Sequence, residues 1–252
     1  MSTFDRNTQA SYSVAGARAE AGIDEGLRAY MLGVYNYMTF GLALTGLFAL
    51  GTVYLAVDQS SGSLALTQFG MALYGSPLKW LVMLAPLGFV MFLSFRIQSM
   101  SASTARTTFL VYAAIMGISL SSIFLVYTGG SIARVFFITA AAFGALSLFG
   151  YTTKKDLSGW GSFLFMGLIG IVIASLVNIF LASSALQFAV SVIGVLVFAG
   201  LTAYDTQQIK EMYYEGDGHE VATKKSVMGA LRLYLDFINM FLMLLQLFGN
   251  RN

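Results

Sequence analysis

The sequence predicts an all-α integral membrane protein of seven transmembrane helices, and three observations carry that prediction. The 252 residues are 57% hydrophobic and 10% charged, against about 25% charged in an ordinary soluble domain, and the mean hydropathy is +0.74. Apolar runs recur along the chain, most of them long enough at ~1.5 Å per residue to cross roughly 30 Å of hydrocarbon. The polar segments between them carry Lys and Arg mostly on one side, as cytoplasmic loops do. The last helix is set apart by Asp236, a carboxylate inside SVMGALRLYLDFINMFLMLLQLFG.

Taken in order, residues 1–28 are polar and rich in Ala, Ser and Gly, and are expected to form a flexible cytoplasmic tail with one short helix at most. They contain no apolar core of a signal peptide, so no cleaved leader is expected. Residues 29–252 form a single transmembrane domain. The first span runs from Met31 to Val57, and residues 58–77 form a polar-to-amphipathic connection on the far surface. The second span is Leu78 to Phe95, with Pro86 inside it, and ends at Arg96. A short basic loop leads to the third, Thr107 to Thr128, and GGSIAR turns into the fourth, Val135 to Tyr151. After TTKKD the fifth is Gly161 to Leu181, and ASSALQ leads to the sixth, Phe188 to about Thr206. Residues 207–225 read as a long charged connection before the final span.

Counting cations orients this array. Arg6, Arg18, Arg28, Arg96, Arg106, Lys154, Lys155, Lys210, Lys224 and Lys225 lie on the side of the N-terminus; Lys79, Arg134 and Arg251 lie on the other. The bias places the N-terminus in the cytoplasm and, with an odd number of spans, the C-terminus outside. Glycines concentrated in the spans, Gly167 and Gly170 among them, suit close helix packing in lipid.

Composition also excludes chemistry. Without cysteine there is no disulfide, thiolate metal site or cysteine nucleophile, and the single histidine, His219, lies in a polar loop. A net charge of +2 gives no basis for nucleic-acid binding. A serine protease of the rhomboid type lacks its membrane histidine, and a retinal protein lacks a lysine in the last span. An aspartyl intramembrane protease also uses two membrane aspartates, but the GxGD pattern is missing, since LTAY precedes Asp205. The chain is not expected to be an enzyme.

What remains is the pair of acids in apolar runs, Asp205 and Asp236. A charge there is costly and is usually paired or functional. Both sit in the cytoplasmic half, Asp205 roughly 7–8 Å and Asp236 roughly 12 Å along their helices from the boundary, and Arg96 ends the second span on that side. Carboxyls sharing a low-dielectric site hold one proton between them and titrate as a unit; calcium, which prefers oxygen ligands, competes for the same pair. Plainer roles stand beside this one. Asp205 can be an interfacial acid with Gln207 and Gln208 marking the water, Arg96 a positive-inside anchor, and Asn178 an interhelical hydrogen bonder. Arg232, one turn before Asp236, can form a private pair with it.

Four segments, KKDL (154–157), SLVNIF (175–180), AYDTQQIK (203–210) and LYLDFINMFLMLLQLFG (233–249), resemble the Bax inhibitor-1 (transmembrane Bax inhibitor motif) family, its bacterial branch in particular. The likeness extends from about residue 25 to the end. It implies seven spans with the last helix central and surrounded by the other six. It also implies a pH-sensitive calcium leak in the bacterial inner membrane, governed by two aspartates that correspond to Asp205 and Asp236. The basic residue that ends the second helix and pairs with the first aspartate corresponds to Arg96. Calcium is then the transported ion, with Asp205 and Asp236 as its candidate site, and no cofactor is expected. The implied partners are membrane lipid, calcium and protons. A bacterial relative modulates a membrane-bound quality-control protease, so a non-conducting regulator with such a partner is the alternative. Two features depart from the family pattern: a longer loop between the aspartates, and Arg232, which lies outside the motif. Arg232, Asn178 and Asn239 are candidate modulators.

Overall fold

A computed structural model describes residues 3–58 and 65–252, with side chains placed from Glu25 onward except Gln98. Seven helices are long and apolar enough to cross a membrane, which makes the protein an all-α membrane protein. They are α1 (Thr3–Ala56), α2 (Leu78–Arg96), α3 (Ala102–Leu120), α4 (Gly129–Thr152), α5 (Ser158–Leu181), α6 (Ser184–Glu211) and α7 (His219–Phe248). Among the described residues β-structure is limited to two isolated bridges, Val57–Leu66 and Tyr127–Arg251.

The last helix is the axis of the bundle. Helices α1, α3, α4 and α6 pack directly against α7, while α2 packs on α3 and α5 on α6 at the outside. Of the six helices expected around it, four form its immediate wall and two make an outer layer. Aromatic side chains seat α7 in this wall: Tyr234 meets Phe109 and Tyr112 of α3, and Phe237 meets Phe136 and Phe143 of α4. Tyr234 Oη lies 2.7 Å from Thr45 Oγ1, which lies 2.9 Å from the Ala113 carbonyl oxygen. If Tyr234 donates to Thr45 and Thr45 to Ala113, one chain of hydroxyls joins α7, α1 and α3. Such bonds satisfy polar groups that lipid cannot.

Helices run past the apolar runs that reveal them. From Thr3 the backbone is one helix continuous with the first span, whose membrane-length part is Glu25–Ala56, so the boundary expected near residue 28 does not interrupt it. Five alanines from Ala10 to Ala21 favour a helix there. The expected connection of 207–225 shrinks to residues 212–218, because α6 extends to Glu211 and α7 starts at His219. Lys225 closes this turn: its ammonium donates to the Met212 carbonyl at 3.0 Å and pairs with Asp217. Helix α3 breaks at Ser121 and Ser122 before a last turn, Ile123–Val126, and the Tyr74 hydroxyl bonds Ser121 at the break. Residues 65–77 fold as a short helix and a π-turn, with 59–64 of that connection outside the described residues.

A candidate site of two carboxyls between the last two helices

The packing of α6 against α7 brings Asp205 and Asp236 together. Asp236 is 5% exposed and Asp205 is half-buried. Their carboxyls face each other at hydrogen-bonding range. Oδ2 of Asp236 is fully buried and meets no N–H or O–H donor. Ionised carboxylates only accept, so two of them facing each other can bond only when one holds a proton and donates it to the other. An orphaned buried acceptor is costly, and a shared proton relieves that cost.

Their common level follows from helix lengths. Asp205 lies six residues before the end of α6, roughly 9 Å. Asp236 lies seventeen residues after the start of α7, roughly 26 Å. The two therefore meet because the first turns of α7 stand beyond α6 at the lysine- and arginine-rich end. The turn at 212–218 folds back there, tied by Lys225 and by Tyr213, whose ring packs at a tilt against Tyr30 of α1. A depth measured from the apolar run alone understates how far Asp236 is from the start of its helix.

Arg232, not Arg96, is the cation whose charge reaches both carboxyls. It sits one helical turn from Asp236 with its side chain exposed. Arg96 is exposed at the end of α2, an outer helix, where a guanidinium reaches headgroup water more readily than the bundle interior. Its carbonyl accepts from Ser99 Oγ at 2.8 Å. Asn178 stands at the far end of α5, where its Oδ1 accepts from Ser183 N at 3.0 Å and its carbonyl from Ala182 N. It stitches a turn whose Ala182 adopts φ 48°, tying the end of α5 to Ser183, the N-cap of α6. Asn239 donates its Nδ2 to the Leu235 carbonyl of its own helix at 2.8 Å.

Gln207 does not mark the water. It is 6% exposed, donates to the Lys155 carbonyl at 2.9 Å and accepts from Leu157 N at 2.7 Å. The KKDL turn and the AYDTQQIK segment are therefore one unit, holding α5 and the end of α6 beside Asp205. The signal available beforehand was a pair of motifs of the same polarity at the same end; the contact itself needed the fold. In that turn, Asp156 Oδ1 accepts from Ser158 N at 2.8 Å, and the bonds to Ser158 hold its carboxyl below the ordinary carboxylate value.

As a metal centre the pair is sparse. Among the described residues no third Asp, Glu or His joins it, whereas calcium takes six to eight oxygens. Two carboxyls can meet a passing cation that keeps much of its water. They cannot cage one.

Comparison with known proteins agrees with this architecture. Residues 27–252 match the family model described as inhibitor of apoptosis-promoting Bax1. The inner membrane protein YbhL of Escherichia coli is 50% identical over 228 residues, covering 90% of this chain and 93% of that one. An uncharacterized protein of Rickettsia prowazekii is 51% identical over 228 residues, covering 90% and 92%. An uncharacterized membrane protein of Streptococcus pyogenes is 34% identical over 229 residues, covering 91% and 96%. With the matched region spanning all seven apolar helices, the chain belongs to the Bax inhibitor family.

Proposed function

We propose that the protein is a pH-sensitive calcium leak of the bacterial inner membrane, gated by the Asp205–Asp236 pair. The observation that carries this reading is the facing of two carboxyls between α6 and α7, one with a buried oxygen that no donor satisfies. A proton shared between them clamps the two helices. Removing that proton sets two negative charges against each other; adding a second removes the charge-assisted bond. In either case the clamp weakens, and a hydrated cation gains a path along α7 where the carboxyls lend it oxygen ligands. Arg232 serves as the counter-ion of the carboxylate released, a role the family resemblance assigns to Arg96.

Placement in the inner membrane is supported by the naming of the Escherichia coli relative. A cytoplasmic N-terminus and an external C-terminus follow from the cation bias. The test is calcium flux into liposomes holding the purified protein, followed across pH. The wild type is expected to leak with a marked pH dependence, and Asp205→Asn and Asp236→Asn each to flatten it. A wild-type flux equal to that of empty liposomes defeats the channel reading and leaves the non-conducting regulator of a membrane protease.

A further inference from the structure

Helices α1 and α4 stand apart along much of their length, and between them runs an open groove of about 1210 Å³. On α1 it extends from Arg28 to Leu50, roughly 33 Å and so the full depth of the hydrocarbon. Its floor is Phe237, the residue after Asp236. Its outer edges, Leu32, Leu50, Phe137 and Leu148, are more than half exposed. Glycines keep it wide: a Cβ at Gly46 on one wall or Gly144 on the other meets no atom within 4 Å. The walls are joined inside, where the Tyr35 hydroxyl lies 2.6 Å from Ser147 Oγ and Ser147 Oγ 2.9 Å from Thr206 Oγ1.

Among the described residues that line the groove, Arg28 is the charged one, and it stands at one end. Arg28 lines that mouth and, among the described residues, makes no ion pair. Lys210 donates to the Tyr151 carbonyl at 2.9 Å and lies 5.3 Å from the centre of the Tyr151 ring, which also lines the mouth. One bond to a carbonyl leaves the ammonium two further donors. An apolar trough with Arg28 at one mouth, and Lys210 held on the Tyr151 that lines the same mouth, matches a membrane amphiphile that carries its negative charge at one end.

We propose that the α1–α4 groove is a binding site for an anionic phospholipid, its phosphate at Arg28 and Lys210 and its acyl chain running from that mouth past Gly144 toward Gly46. The site is independent of the gating reading above, though its occupant would rest on Phe237 and so touch the helix that carries Asp236.

The test is native mass spectrometry of the full chain released from vesicles of equal phosphatidylglycerol and phosphatidylcholine. The wild type is expected to retain one phosphatidylglycerol in preference to phosphatidylcholine. Gly144→Leu and Gly46→Leu fill the groove from opposite walls, each starting in open space; with the melting temperature in detergent kept, Gly144→Leu should abolish retention and Gly46→Leu, at the far end of the tail, should weaken it. Arg28→Gln should lower the preference for phosphatidylglycerol about fivefold, the worth of one basic residue at an anionic headgroup. Equal retention of the two lipids by the wild type overturns the proposal, as does retention that survives Gly144→Leu. A wild-type chain that carries no lipid overturns it in favour of an apolar helix as occupant.

Discussion

Helices α5 and α7 invert the rule of water-soluble folds. The most apolar of the seven, α5, has 11% of its membrane-length stretch buried; the least apolar, α7, has 67%. Lipid tails are as apolar as leucine, so burial in protein gains little from hydrophobicity. What must be enclosed is polarity: Tyr234 and Asp236 on α7 find a partner or a proton-sharing neighbour only inside the bundle. Helix α5 has no charge to hide and turns Phe180, Ile179 and Met166 outward. The centre of this protein is therefore its most polar span, and its most apolar span lies in the outer layer.

That contrast can be broken at graded cost. The largest effect is expected from the α4–α6 crossing, where a Cβ on Gly150 would run into the Ala203 backbone carbonyl. Gly150→Ala should lower stability by about 3 kcal/mol, the upper range for overpacking, because backbone cannot step aside. Gly170→Ala on α5, where a Cβ meets no atom within 4 Å, should instead raise the melting temperature slightly through helix propensity. Thermal unfolding of both variants in detergent checks the pair, and equal shifts would remove the distinction between inner and outer crossings.

Next in size is truncation on α7 against truncation on α5. Leu233 is fully buried, whereas Phe180 is 88% exposed. Leu233→Ala should cost on the order of 1–3 kcal/mol, the cavity part of the usual cost, since transfer to lipid is nearly neutral. Phe180→Ala, despite losing more atoms, should stay within about 0.5 kcal/mol. Denaturant titration in mixed micelles distinguishes them.

Smaller still is Tyr234→Phe, which removes the hydroxyl bonded to Thr45 and should cost about 1 kcal/mol. The smallest effect concerns the Asp156–Ser158 turn at the foot of α5. Its carboxyl is lower in the folded state than in the unfolded chain, so its contribution is complete above the unfolded value, ~3.9. It fades as pH falls through the lowered folded value. Asp156→Ala should therefore slightly reduce the melting temperature at neutral pH and lose that difference in strong acid. A difference that grows on acidification would reverse the sign.

The functional contrast lies between two arginines. Arg232→Gln should shift the pH at which calcium flux changes, because its charge reaches both carboxyls. Arg96→Gln, with its side chain exposed at the end of α2, should leave that pH in place. A shift in the Arg96 variant alone would return the counter-ion role to the residue the family resemblance names.

Much of this was legible in the chain. Apolar runs against polar breaks determine seven helices, since a backbone in lipid has to bond with itself. A carboxylate in an apolar run determines that α7 is the span to watch, because no lipid-facing position tolerates it cheaply. Spacing along one helix could not say which side chains from other helices stand opposite. The fold decided that Asp205 faces Asp236, that Arg232 rather than Arg96 is within electrostatic reach, and that Gln207 holds the KKDL turn. The α1–α4 groove was equally invisible, being a gap between helices distant in the chain. Local sequence determines which segments cross the membrane through backbone satisfaction, while the neighbours of each are set by packing and hydrogen bonds between segments, which exist only once the bundle has closed.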